Sequence, residues 1–116
     1  MQIIFIINIL NNLKGVITMK KEIFAIIITG KKWFDKNYGN THHSSNITVI
    51  YNDKSIKNFY NPSQYGYGDQ YLYTSFQLLE KEKVLNLNGE FYWRYCRDNN
   101  IILNYSCAEN CRKKDL

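Results

Sequence analysis

The side chains best suited to bind a metal ion are three cysteines and two histidines. The cysteines follow the spacing Cys96-x10-Cys107-x3-Cys111 and lack the paired CxxC spacing of zinc sites, while His42 and His43 are adjacent in a polar stretch that predicts a loop. A structural zinc ion needs four converging ligands. The sequence therefore predicts no metal site and no cofactor.

Ser44 and Ser45 follow the two histidines directly, and serine beside histidine is the combination used in nucleophilic catalysis. Adjacent residues on one strand point to opposite faces, so they do not usually converge on one reacting atom. The carboxylates are scattered along the chain without a recognisable metal-binding pattern. We therefore expect no enzyme activity and no small-molecule substrate, and a small hydrolase or nuclease is the weakest of the functional alternatives.

One segment interleaves cations with aromatic rings. Lys31, Lys32 and Lys36 surround Trp33, and Arg112-Lys113-Lys114 adds basic charge near the end of the chain. Such a patch could hold RNA phosphates and stack bases. The same pattern also suits a solvated lysine edge of a sheet with Trp33 in the core.

A second segment, Tyr65-Gly66-Tyr67-Gly68-Asp69, places two glycines directly before a predicted helix, and Tyr71 follows. Glycines at this point can turn backbone amides toward an anion. The segment lacks the lysine and hydroxyl pair of a P-loop and the GxGxxG spacing of a dinucleotide site. The alternative is a glycine-shaped turn with packed tyrosines.

The composition indicates one folded domain with a modest basic charge. The chain has 116 residues, of which 45% are hydrophobic and 16% aromatic, and its formal net charge is +5. This charge permits RNA as a partner without requiring it. An odd number of cysteines argues against a disulfide framework, and Asn, Ile, Lys and Tyr are abundant, as expected of an AT-rich genome. We expect a cytoplasmic protein of a bacterium or phage with reduced thiols.

Residues 1–18 begin with the apolar run MQIIFIINIL, which lacks the basic start of a signal peptide and is too short to span a bilayer. Met19 opens the segment MKKEIFAIIITG, which is typical of the start of a compact bacterial domain. We expect residues 1–18 to be a leader or a misassigned start, with an added edge strand or helix as the alternative. The functional domain is then residues 19–116.

Hydrophobic periodicity predicts four strands and two helices. The strands are expected at Ile23 to Thr29, Asn46 to Tyr51, Ser55 to Tyr60 and Ile101 to Cys107, and the helices from Asp69 to about Lys83 and from Asn88 to Asn99. The boundaries rest on Gly30 after the first strand, Asn61-Pro62 after the third, and Asp69 and Asn88 as helix caps. Glu90, Arg94 and Asp98 would form a charge ladder along the second helix.

The order βββααβ predicts an α+β fold in which both helices pack on one face of a small, mostly antiparallel sheet.

Two stretches together resemble a group of short proteins encoded by bacteriophages and mobile elements. These are Lys31-Lys32-Trp33-Phe34-Asp35-Lys36 with Gly39-Asn40-Thr41-His42, and Tyr65-Gly66-Tyr67-Gly68-Asp69-Gln70-Tyr71 with Thr74. The resemblance spans residues 19–116 and includes the segment YWRYCR at residues 92–97. The chain also resembles an anti-CRISPR inhibitor of the RNA-guided RNase of type VI-B systems.

The resemblance implies a non-enzymatic inhibitor that docks on a CRISPR effector nuclease of the host bacterium, with or without contact to its guide RNA. The expected partner-binding residues are Lys31, Lys32, Trp33, Lys36, Tyr65, Tyr67 and Tyr71. The alternative is a small RNA- or DNA-binding accessory protein of phage replication or gene control, which would bind bare nucleic acid with strong salt dependence.

Overall fold

The computed structural model of the protein describes residues 21–116, and the expected leader at residues 1–18 lies outside them. The described chain confirms the predicted α+β class, with a four-stranded sheet and two helices. In chain order the elements are β1 (Ile23–Asp35), β2 (Asn40–Tyr51), β3 (Ile56–Tyr65), α1 (Gln70–Lys81), α2 (Tyr92–Asp98) and β4 (Ile102–Ala108), followed by a short 3-10 turn (Lys113–Asp115).

The strands lie side by side in the order β3-β2-β1-β4. The predicted antiparallel pairing is observed between β1 and β2 and between β2 and β3, whereas β4 pairs parallel to β1. The parallel pair arises because the two helices carry the chain across the sheet, from the edge strand β3 to the opposite edge. The sheet is therefore mixed, with β1 and β2 at its centre.

The core lies between the sheet and α1. Leu72, Phe76 and Leu79 recur at helical spacing, as the sequence predicts, and all three are at most 3% exposed. They pack in one cluster with Ile28 of β1 and Ile47 of β2, both fully buried. Burying a large apolar side chain contributes about 1.5–3 kcal/mol, so this cluster is a principal source of stability.

Gly30 does not end the first strand, contrary to the sequence expectation. The strand β1 continues through Gly30 as far as Asp35. A Cβ atom at this position would lie only 2.6 Å from Cδ2 of Tyr71, because the tyrosine ring packs directly on the strand backbone. Glycine is thus required here for close packing of α1 on the sheet rather than for a turn.

Pro62 does not end the third strand either, since β3 runs to Tyr65. β3 is an edge strand, and its register with β2 shifts between His43 and Ser45, opposite the proline. Proline lacks a backbone donor and is tolerated at edges and bulges for that reason. The strand can therefore continue past Pro62 and carry Tyr65 to the end of the sheet.

The second helix begins later than predicted. Asn88 and Gly89 have φ angles of +52° and +78°, so these residues form a turn, and Phe91 occupies the N-cap position of α2. Glu90 therefore precedes the helix, and the predicted charge ladder from Glu90 does not form among the described residues. Asp69 does take the predicted N-cap position of α1, although its side chain makes no capping hydrogen bond.

The two faces of the sheet differ. Side chains alternate along a strand, so Ile26 and Ile28 face the helices while Ile27 and Thr29 lie on the other side. This second face, called the open face below, carries neither of the described helices. Within residues 21–116, neither helix is long and apolar enough to cross a membrane.

Candidate functional site

Three aromatic side chains from three neighbouring strands line up at one end of the open face. The strand register places Trp33 of β1 opposite His42 of β2, and His42 opposite Tyr65 of β3. The ring centroids are 5.4 Å apart for Trp33 and His42 and 6.1 Å apart for His42 and Tyr65. We call these three residues the aromatic row. Tyr65, at the end of the row on the edge strand β3, is 63% exposed, and the other two rings are partly buried.

The last residues of the chain bring positive charge to the aromatic row. The backbone N–H of Cys111 donates to the carbonyl of Lys32 at 2.8 Å, which holds this segment along β1. Nζ of Lys113 then lies 5.6 Å from the centre of the Trp33 ring, within the range of a cation–π contact. Nζ of Lys31 donates to the carbonyl oxygen of Asp115 at 3.1 Å. The two basic segments that are far apart in the sequence therefore meet beside Trp33.

Lys32 lies on the opposite face from Lys31. Its ammonium group forms an ion pair with Glu109 at 3.0 Å, it lies 5.7 Å from the centre of the Tyr71 ring, and its side chain is only 13% exposed. Lys36 is exposed in the turn between β1 and β2. Among the predicted lysines, Lys31 and Lys36 thus lie at the same end of the sheet as the aromatic row, whereas the ammonium group of Lys32 is engaged by contacts within the protein.

The three predicted tyrosines have different environments. Tyr65 belongs to the aromatic row, and Tyr67 is 74% exposed in the turn before α1. Tyr71 is 5% exposed and packs in the core against Gly30, where burial raises the pKa of its hydroxyl to about 12. Tyr71 therefore cannot anchor a partner, and its prediction as a binding residue is corrected by its position on the inner face of α1.

The glycine segment before α1 is a turn, and two backbone N–H groups in it and just after it donate within the protein. The N–H of Gly66 donates to the carbonyl of Thr41 at 2.9 Å, and the N–H of Gln70 donates to the carbonyl of Tyr67 at 3.1 Å. The carboxylate of Asp69 also stands at the helix start, where it would repel an anion. These contacts favour the glycine-shaped turn over phosphate binding.

His43 is buried in β2, so the prediction of a loop for the two histidines was wrong. Nδ1 of His43 lies 3.1 Å from the carbonyl oxygen of Gly66 and must donate to it, so Nε2 accepts from the hydroxyl of Thr74 at 2.9 Å. Desolvation lowers the pKa of His43 below its ordinary value, and the nearby charge of Lys32 acts in the same direction. His43 thus joins β2, the glycine turn and α1, while His42 faces the other way.

The buried serines make structural contacts rather than a nucleophilic pair. Ser75 donates from its hydroxyl to the carbonyl of Tyr71 at 2.6 Å, and Ser45 donates to Ser75 at 2.6 Å. Both ring nitrogens of His43 are already engaged by Gly66 and Thr74, so His43 is not placed to activate either neighbouring serine. The residues in the described range contain no group of three or more metal-binding side chains, and the three cysteines are free thiols.

The sequence reasoning missed His42 as a site residue and treated Lys113 only as part of a basic tail. The missing information was that β1 and β2 extend to the hairpin turn. His42 and the buried His43 are neighbours on β2, so their side chains lie on opposite faces of the sheet. Pairing Trp33 with His42 on adjacent strands would then have placed both rings on the open face.

No protein-family model, no curated protein and no solved structure matches the chain.

Proposed function

We propose that this protein works by docking on another macromolecule through the aromatic-row end of its open face, and that it needs no catalytic chemistry to do so. The observation that carries the proposal is the alignment of Trp33, His42 and Tyr65 across three adjacent strands. Rings held on paired strands are already ordered before binding, so little side-chain entropy is lost when a partner covers them.

Further exposed aromatic residues extend this surface. Tyr38 in the turn between β1 and β2 is 82% exposed, and Tyr67 is similarly exposed beyond the end of β3. Tyrosine and tryptophan are the residue types that most often anchor protein interfaces, which typically cover about 800 Å² per partner. The end of the sheet therefore offers anchors of the right chemistry for a protein partner.

The partner we propose is an RNA-guided effector nuclease of a type VI-B CRISPR system, which the protein would inhibit by binding. This choice rests on the resemblance of the chain to an anti-CRISPR inhibitor of type VI-B systems. The segments around Trp33 and Tyr65, which resemble short proteins of bacteriophages and mobile elements, each contribute a ring to the aromatic row. The proposal thus assigns the docking role to residues that the resemblance also singles out.

Single-stranded RNA is the second candidate partner. It is favoured by the cations beside the rings, since Lys113 stands over Trp33 and Lys36 is exposed at the same end of the sheet. Aromatic rings on a sheet with neighbouring lysines can stack bases and neutralise phosphates. Binding of this kind weakens steeply as salt rises, because it releases counterions from the nucleic acid.

The two candidates are separated by titrating the full chain against the effector, the effector with its guide and free single-stranded RNA over a series of salt concentrations. We expect tight effector binding that persists at moderate salt and weak RNA binding that fades. The Tyr65→Ala variant should weaken effector binding by about tenfold or more, as expected of an anchor residue. Tyr105→Ala is the matched control, because Tyr105 is also exposed but lies on β4, away from the row.

A lysine pair completes the design. The double variant Lys36→Gln and Lys113→Gln should weaken RNA binding and leave effector binding nearly unchanged, with the exposed Lys57→Gln on β3 as its control. Nanomolar, steeply salt-dependent RNA binding together with no effector binding would refute the inhibitor proposal and support the second candidate.

A further inference from the structure

A groove on the helical side of the molecule combines aromatic walls with negative charge. It lies between α1 and the loop that leads into α2, and its volume is about 340 Å³. The rings of Tyr73, Phe91 and Tyr92 line it together with the carboxylate side chains of Glu80 and Glu90. The groove is separate from the aromatic row, which lies on the other face of the sheet.

The three rings form a corner rather than a flat wall. Tyr73 meets Phe91 at 5.6 Å with an interplanar angle of 64°, and it meets Tyr92 at 5.1 Å and 89°. Tyr92 is buried at the base, whereas Tyr73 and Phe91 are each 38% exposed. Aromatic faces carry negative potential and attract cations within about 6 Å of the ring centre. The exposed rings therefore suit a positively charged group.

The two carboxylates strengthen this preference. Oε2 of Glu80 accepts a hydrogen bond from the backbone N–H of Leu87 at 3.1 Å, which fixes the loop against α1 and holds the carboxylate in place. Glu90 forms no ion pair with any residue in the described range 21–116, because it lies in the loop before α2 rather than on the helix beside Arg94. In a chain with a net charge of +5, this groove is thus a local site of negative charge.

We propose that this groove binds an arginine side chain presented by a protein partner. The guanidinium group is planar, stacks on aromatic faces and has five N–H donors that match a carboxylate, whereas the ammonium of lysine is a strongly hydrated point charge. The groove is open to solvent, so a small free cation would make few contacts there, while a side chain on a docked protein gains from the contacts around it. The inference goes beyond the docking role of the aromatic row and does not depend on it.

The test is an NMR titration of the full chain with the peptide acetyl-Gly-Arg-Gly-amide and with the same peptide carrying citrulline, the neutral analogue of arginine. We expect the arginine peptide to shift the ring signals of Tyr73 and Phe91 in a saturable way. The citrulline peptide should bind about tenfold more weakly, since it lacks the charge that both the rings and the carboxylates attract.

Two substitutions complete the test. Glu90→Gln keeps the shape of the side chain and removes its charge, so it should weaken arginine binding by about threefold to thirtyfold without changing the circular dichroism spectrum. Glu82→Gln is the matched control, because Glu82 is exposed at the end of α1 and does not line the groove. Equal binding of the citrulline peptide, or no effect of Glu90→Gln, would overturn the proposal. Free L-arginine binding as tightly as the peptide would also overturn it, because the site would then serve a small molecule.

Discussion

Gly66 stands where the glycine turn touches the buried His43, and its replacement by alanine tests how tightly this turn is fixed. Its φ angle is +151°, in a region that side chains rarely adopt, and an added Cβ would lie 2.7 Å from Cε1 of His43. The backbone strain costs about 1–3 kcal/mol. Displacing a buried ring from its packed position costs about 1–3 kcal/mol more. We therefore expect Gly66→Ala to lower the free energy of unfolding by about 2–6 kcal/mol.

Gly68 provides the matched control for this prediction. It also has a positive φ angle, +63°, but a Cβ at this position would meet no atom within 4 Å. Gly68→Ala should therefore cost only the backbone term, about 1–2 kcal/mol. The measurement is urea unfolding of both variants followed by circular dichroism. If Gly66→Ala proved no more destabilising than Gly68→Ala, the proposed packing of the turn against His43 would be wrong.

Two further predictions concern His43 and Lys83. Burial lowers the pKa of His43 in the folded protein below 6.5, so the unfolded chain takes up a proton at this residue first as the pH falls. The stability that His43 contributes is therefore complete above about pH 6.5 and is lost as the pH falls toward the lowered pKa. Urea unfolding midpoints at about pH 7.5 and 5.5 should show this loss in the parent protein and in His42→Gln, and a smaller loss in His43→Asn. Lys83 follows the C-cap of α1 with a φ angle of +59°, a conformation that glycine adopts more readily than lysine. Lys83→Gly should therefore stabilise the protein by about 0.5–1 kcal/mol and raise its melting temperature. An unchanged or lower melting temperature would contradict this argument.

The fold could be predicted largely from local patterns, and the predictions failed where a distant contact determines the local structure. The stripe Leu72, Phe76 and Leu79 predicts α1 because its spacing alone defines the buried face. Gly30 was interpreted as a strand end because its reason for being glycine is Tyr71, a residue on another element. Asn88 was interpreted as a helix cap, but asparagine also suits the positive φ angle that this residue adopts in the turn.

The candidate site was predictable only in part. The segments containing Trp33 and Tyr65 were recognised separately, and their meeting depends on the register of β1, β2 and β3, which no local pattern specifies. His42 was missed because a pair of histidines in a polar stretch resembles a loop. The exclusion of Tyr71 likewise depends on which side of α1 packs on Gly30, and this is known only from the folded arrangement.

The parallel pairing of β4 with β1 has a consequence for the order of folding. The strands β1, β2 and β3 are joined by short turns, so they can pair early in folding. The pairing of β1 with β4 joins residues that are far apart in the sequence, such as Ala25 and Ile102, and therefore forms later. Until β4 pairs, the side of the isoleucine-rich strand β1 away from β2 is an unpaired sheet edge, and such edges promote intermolecular association. We therefore expect the docking of β4 to be the slow step of folding, and a chain that ends before Ile102 to aggregate rather than to form a stable three-stranded sheet.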